Sequence, residues 1–530
     1  MGYLRSCTIG AGLLLLAPLL LDAADYDLVI RNARIVDGTG KPAFIADVAI
    51  ANRKIAAIGK LPGAKAPREI DAREHVLAPG FIDVHTHVDA HTPIEKLPAA
   101  ANYIRDGVTT VVAGNCGGSP TDLAKYFALL EKVHTGPNVA SLIGHNSVRR
   151  AVMGDVNRPA TPDEIKRMQA IVAQAMQDGA VGFSTGLIYI PGTYSSTAEV
   201  IALAREAARF HGVYASHMRN EGARVIAAIH EAVQVGREAH LPVEISHFKI
   251  DNLLLWGDSE KTIALVEQYR REGVDVSVDQ YPYDRSSTTL ATLAPSWALA
   301  DGAQAIRERL STPATRARIA AEMRRSNAAL GHRDYAFTMV ASCRRDHSID
   351  GKTIPEINLA QGGRPGIDGE IQVILDLLAR DPTGTSVIKH TMGMVDVERI
   401  MRYPLTAIAS DGEAIEEGVG SPHPRAYGTN ACVLAEFVRV RHVLTLEDAI
   451  RRMTQLPAEK FGFHDRGEIR EGAAADLVLF DPENIQDHAT YAQPHQYSTG
   501  FDYVIVNGEI EVEADKLTGA RAGQVLRHQP

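Results

Sequence analysis

The sequence predicts an α/β protein: a (β/α)8 barrel of the TIM type carrying a small β-sandwich domain built from both chain termini. Two patterns point to it. Apolar runs of strand length alternate with helical segments through the middle of the chain, and short alternating runs with turn signals occupy both ends. The length agrees, since 530 residues exceed one ordinary core and suit a barrel with a satellite.

In chain order, residues 1–23 read as an export signal. Arg5 supplies the positive charge, the run from Ile9 to Leu21 is apolar apart from Gly10, Gly12 and Pro18, and small Ala23 and Ala24 follow. That run falls short of the roughly 20 residues a spanning helix needs. The mature protein is expected to start near Ala24, to be periplasmic or secreted, and to have no membrane span. Cys7 precedes the apolar run, where it fits no lipoprotein box. Of the four cysteines, Cys116, Cys343 and Cys432 remain after cleavage, an odd number and too few for a disulfide framework.

Residues 24–79 and 466–514 are assigned to the sandwich. Tyr26-Asp27-Leu28-Val29-Ile30 and Asp47-Val48-Ala49-Ile50 flank the turn signal Asp37-Gly38-Thr39-Gly40, and residues 51–59 add a strand pair. Ala475-Asp476-Leu477-Val478-Leu479-Phe480 and Tyr503-Val504-Ile505-Val506 repeat the pattern near the far end. Residues 80–465 are assigned to the barrel. Its strand candidates end at His87, Cys116, His145, Gly186, His217, His247, Tyr283 and Asp411, with 385–390 as a ninth and surplus run. Helical spacing is plain over 197–210 and 222–240. Residues 285–345, rich in Ala, Arg and Glu, read as a helical insertion forming a lid over the barrel mouth. A net charge of −10 argues against a nucleic-acid binder, which would show a basic patch.

The chemistry sits at the strand ends. In Phe81-Ile82-Asp83-Val84-His85-Thr86-His87, residues two apart share a face, so His85 and His87 point the same way, toward the barrel mouth. Two imidazoles there form a natural pair of metal ligands. A lone His-x-His is also what a polar surface strand gives, but His217 and His247 end two further apolar runs. Asp411 ends another and can contact the metal and accept a proton from water. Cys116, set between Gly114 and Gly117-Gly118, offers a thiolate, a good zinc ligand. Cys343 and Cys432 lack such a setting.

The ordered motifs resemble the amidohydrolase superfamily and, within it, the D-aminoacylases (N-acyl-D-amino-acid deacylases). His-Thr-His at 85–87, Gly-Asn-Cys-Gly at 114–117, Phe-Ser-Thr-Gly-Leu-Ile-Tyr at 183–189, Ser-His-Met-Arg at 216–219, Ile-Ser-His-Phe-Lys at 245–249, Tyr-Pro-Tyr at 281–283, Ser-Asp-Gly at 410–412 and His-Pro-Arg at 423–425 follow the family's order over nearly the whole mature chain. The resemblance implies that Cys116, His217 and His247 hold a tight zinc, that His85 and His87 form a weaker second site sharing Cys116, and that Asp411 contacts metal and moves the proton. It further implies that Lys249, Tyr281, Ser287 and Arg425 bind the substrate's α-carboxylate. Asp284-Arg285-Ser286 stand where the family has small residues. Strand four ends Phe183-Ser184-Thr185-Gly186, without the carboxylated lysine of hydantoinases and dihydroorotases. The implied reaction is zinc-dependent hydrolysis of N-acyl-D-amino acids, giving a carboxylate and a free D-amino acid. The rival expectations are another amidohydrolase activity (hydantoinase-like, dipeptidase, lactonase or xenobiotic amidase) and, further off, a non-catalytic binding protein.

Overall fold

The computed structural model describes residues 25–90 and 93–528. The predicted export signal lies outside these residues. Among those described, no helix is long and apolar enough to cross a membrane.

Eight parallel strands form the barrel: Phe81–Asp83, Val108–Ala113, Asn138–Ser141 continued by Ile143–Gly144, Gly182–Gly186, Val213–His217, Val243–Ile245, Val276–Gln280 and Thr406–Ile408. The third strand is broken only at Leu142, whose N–H still donates to Ala113 O at 2.9 Å. Almost every residue of these strands is buried, which is why they read as continuous apolar runs rather than alternating ones. Closure between the last and first strands is made past their regular ends. Asp411 N donates to His85 O at 2.8 Å and His87 N donates to Gly412 O at 2.7 Å. The Asp83 carboxylate sits beneath this seam, accepting from Ser410 N at 3.1 Å and His85 N at 3.2 Å.

The strand runs therefore stop two to three residues short of the chemistry, at Asp83, Ala113, Ile245 and Ile408. The ladder hydrogen bonds continue, however, so His85 and His87 keep the shared face that alternation predicts. The helices predicted over 197–210 and 222–240 are Thr197–Ala208 and Val225–Ala239. The first is capped by Ser196, which accepts from Glu199 N. The second starts late because Asn220 Oδ1 accepts from Gly222 N and Arg224 N, holding 220–224 in a turn.

Both chain ends share one nine-stranded sheet, spliced where Val76–Pro79 pairs antiparallel with Leu477–Phe480. Leu28, Ile30, Ile35, Val48, Leu77, Leu477 and Ile505 form its buried core. Beyond Leu517 the chain returns to the barrel, where Leu526 N donates to Val139 O.

The insertion is longer and less helical than its composition suggested. Arg285–Thr289, Thr338–Cys343 and Thr385–His390 form an antiparallel sheet, joined by the helices Gly302–Ser311, Pro313–Ala329, Ile354–Ala360 and Ile367–Arg380. Its own core includes Leu310, Ile319, Ile371, Ile374 and Val387. The ninth strand candidate, Thr385–His390, is thus the middle strand of this sheet and stands outside the barrel.

Candidate metal centre

Three residues of the centre adopt left-handed backbone: Cys116 at φ 52°, His247 at φ 36° and Asp411 at φ 50°. Non-glycine residues rarely adopt this region, and clusters of such strain mark functional sites. The turn after Cys116 needs glycine: Gly117 has φ 76°, and a Cβ there would lie 2.2 Å from Asn146 Oδ1.

Cys116 Sγ lies 3.3 Å from His85 Nε2, 3.5 Å from His217 Nδ1 and 3.7 Å from His247 Nε2. Zinc bonds of about 2.3 Å to sulfur and about 2.0–2.1 Å to nitrogen, opened at the tetrahedral angle, separate the two ligand atoms by roughly 3.5 Å. The donor set therefore fits zinc in both spacing and chemistry. Three groups, His85–His87–Cys116, Cys116–His217–His247 and His85–His247–Asp411, each keep their ligand atoms within 4.8 Å of one another. Asp411 Oδ1 is 3.1 Å from His87 Nε2 and 3.6 Å from His85 Nε2. Cys116 is shared by two of the groups, as a bridging ligand of a two-metal centre must be.

Electrostatics favour the anionic forms of the thiol and the carboxylate. Burial pushes the Cys116 thiol up, but the imidazoles of His85, His217 and His247 hold it well below the usual thiol range. Burial likewise opposes charge on Asp411, yet Arg425, His247 and His87 keep it well below the ordinary carboxyl value.

Two carboxylates that sequence reasoning missed orient the imidazoles. Glu221 Oε1 is 2.9 Å from His247 Nδ1, and Glu221 Oε2 is 3.7 Å from His217 Nε2, so one side chain faces the outer nitrogens of two ligand histidines. Asp279 accepts from His247 N at 2.7 Å and lies 3.3 Å from His85 Nδ1. A proton held on His85 Nδ1 by Asp279 leaves Nε2, the nitrogen facing Cys116, free to bind metal. The signals were faint: Glu221 lies four residues after His217 in a loop, and Asp279 sits inside the seventh strand. Substituting Glu221→Gln is expected to weaken zinc binding roughly 10–100-fold, the usual effect of losing such a partner. Competition with a chromophoric chelator measures it, and an unchanged affinity would strip Glu221 of the role.

The predicted substrate residues converge but are not idle. Lys249 Nζ is buried against Glu221 Oε1 at 2.9 Å and His247 Nδ1 at 2.6 Å. Arg425 Nη1 lies 2.9 Å from Asp411 Oδ2, an ion pair by distance, though its N–H is not aligned for a hydrogen bond and finds no acceptor. The guanidinium carbon stands 4.5 Å over the Tyr281 ring, whose hydroxyl is also buried without a hydrogen-bond partner among the described residues. Ser287, on the first strand of the insertion, accepts at its carbonyl from Arg425 Nη2 and lines the same cavity. Asp284 and Arg285 face elsewhere: Asp284 pairs with His390 at 3.2 Å, and Arg285 stacks on Tyr491. On strand four, Ser184 Oγ donates to Gly114 O and no lysine enters the centre.

A barrel whose strand ends bring four imidazoles, a thiolate and a carboxylate around one small volume defines a metal-dependent hydrolase of the amidohydrolase type. The Amidohydrolase family profile matches residues 68–512. The chain is 34% identical over 528 residues to the D-aminoacylase of Alcaligenes xylosoxydans xylosoxydans, covering 95% of this chain and 98% of that one. It is 36% identical to the N-acyl-D-glutamate deacylase of the same organism, covering 94% and 96%. The structure of N-acyl-D-glutamate deacylase from Bordetella bronchiseptica, complexed with zinc and a phosphonate inhibitor, superposes with a TM-score of 0.80 at 34% identity, covering 95% of this chain and 99% of that one. This chain belongs to the amidohydrolase family, in its D-aminoacylase (N-acyl-D-amino-acid deacylase) branch.

Proposed function

We propose that the chain hydrolyses the amide bond of N-acyl-D-amino acids in a zinc-dependent reaction, with Asp411 as the acid–base group and Tyr281, Arg425, Lys249 and Ser287 as the grip on the α-carboxylate. The observation that carries this reading is the Cys116 thiol set against three imidazoles, with Asp411 facing His85 and His87 across the same volume. Cys116, His217 and His247 hold the tight zinc, and His85 and His87 complete the second site.

Zinc bound here polarises the scissile carbonyl and acidifies the attacking water. Asp411, kept ionised by Arg425, takes the proton of that water and returns it to the leaving amine. The buried Tyr281 hydroxyl, without a hydrogen-bond partner among the described residues, and the Arg425 guanidinium beside it mark where an incoming carboxylate finds hydrogen bonds. Fixing that carboxylate fixes the hand of Cα relative to the amide.

A chiral panel tests the whole reading: N-acetyl-D-amino acids beside their L-isomers, cyclic ureides and dipeptides, each with and without added zinc. Zinc-dependent turnover confined to the D-series is expected, and faster turnover of L-isomers or ureides would overturn the reading. Tyr281→Phe is expected to raise KM roughly 10–100-fold, the worth of a hydrogen bond to a charged group. The melting temperature should not fall, because that hydroxyl has no hydrogen-bond partner among the described residues to lose. A drop in stability with unchanged KM would exclude the role. Export of the mature protein, cut near Ala24, is supported by Arg5 and the apolar run up to Leu21. N-terminal sequencing of protein from a secreting host tests it.

A further inference from the structure

His423 is buried two residues before Arg425 and engages both of its ring nitrogens. Nδ1 accepts from Arg425 N at 3.0 Å, and Nε2 stands 3.0 Å from Arg285 O. A backbone N–H can only donate and a carbonyl can only accept, so Nδ1 is bare and Nε2 carries the single proton. Burial, with the Arg425 charge beside it, holds the imidazole well below its usual range and keeps it in that form. Arg285 opens the first strand of the insertion, and two residues along it Ser287 O accepts from Arg425 Nη2 at 3.4 Å. The imidazole therefore closes a ring of contacts. One nitrogen holds the backbone of Arg425, and the other holds the strand that receives its guanidinium.

Part of what holds the imidazole comes from outside the barrel. The rings of Tyr281, Tyr283 and Tyr491 surround it at centroid distances of 6.1, 5.3 and 5.2 Å. Tyr491 belongs to the terminal domain, on the connection between the strands Leu477–Phe480 and Phe501–Val506. Its hydroxyl lies 3.4 Å from His423 Nε2, and the Arg285 guanidinium carbon stands 4.0 Å over its ring. The same connection reaches both flanks of the Arg425 segment: His495 Nδ1 is 2.9 Å from Tyr427 Oη, and His495 Nε2 is 3.1 Å from Gly420 O. From the N-acyl-D-amino-acid reading, on which this rests, we infer that His423 is a positioning residue for the substrate's α-carboxylate. Backed by Tyr491, it sets the aim of Arg425 and makes the terminal domain part of the carboxylate grip.

His423→Phe removes both nitrogen contacts and keeps a ring among the tyrosines. It is expected to raise KM for N-acetyl-D-leucine roughly tenfold or more, the worth of a hydrogen bond to a charged group. The inhibition constant of free D-leucine should rise in parallel. Bound zinc should stay stoichiometric, because neither nitrogen contact goes to a metal ligand. The preference for N-acetyl-D-leucine over N-acetyl-D-leucinamide should fall by a similar factor, since only the carboxylate uses the Arg425 charge. His423→Asn, whose amide oxygen can still accept from Arg425 N, is expected to recover part of the KM. Tyr491→Leu leaves both imidazole contacts and is expected to raise KM about threefold, the worth of one aromatic contact. It carries the test if the phenylalanine variant does not fold. An unchanged KM in His423→Phe and Tyr491→Leu, or equal losses on the carboxylate and the carboxamide, overturns the inference. Wild-type protein that leaves N-acetyl-D-amino acids intact removes the hydrolase reading and the inference together, whereas wild-type turnover with an unmoved KM in the variants removes the inference alone.

Discussion

Asp411→Asn is expected to lower kcat by two to four orders of magnitude, the range for loss of a general acid–base group, while bound zinc on Cys116, His217 and His247 stays stoichiometric. Asparagine is the informative replacement. Asp411 sits at φ 50°, a conformation asparagine accepts more readily than most residues, so the seam with His85 survives. The amide oxygen still reaches toward His87 and Arg425, but it cannot hold a proton in transit. Steady-state kinetics with zinc analysis decide it. Turnover within tenfold of wild type would remove Asp411 from the chemistry, and loss of zinc would make it primarily a ligand.

Cys116→Ser is expected to bring zinc content to background and activity with it, a larger effect than the roughly 10–100-fold expected from outer partners such as Glu221. Sulfur stands within 3.7 Å of all three imidazoles, so no other side chain can replace it at the centre of the set. Stability provides a second readout. A ligand that binds only the folded state at 1,000 times its dissociation constant adds about 4 kcal/mol. Wild-type protein should therefore lose melting temperature on chelation and regain it with zinc, while Cys116→Ser should show no zinc-dependent shift. Retention of stoichiometric zinc by the serine variant would overturn the assignment.

Much of this architecture is legible in the sequence because a parallel barrel buries its strands on both faces. Each strand then appears as an apolar run, and a histidine, cysteine or aspartate closing such a run stands out against it. His85, His87, Cys116, His217, His247 and Asp411 were all found that way, and the structure brings them together. The insertion was harder to read. Its sheet pairs Arg285–Thr289 with Thr385–His390, and nothing in either short, polar-rich run names a partner so distant in the chain. Glu221 and Asp279 escaped for another reason. A single acid in a loop or a strand is indistinguishable by type from dozens of others until the fold sets it beside an imidazole. Lys249 and Arg425 were visible as cations near the centre, but their attachment to Glu221 and Asp411 depends on side-chain placement alone.

The barrel's closing seam has a consequence for how the protein is made. Asp83 and Ser410, which meet beneath that seam, are 327 positions apart. During synthesis, Cys116, His217 and His247 have all left the ribosome well before Ser410 and Asp411 exist. Cys116, His217 and His247 are thus translated first and Asp411 last, so a nascent chain stopped short of the eighth strand carries the proposed zinc ligands without the proposed acid–base group.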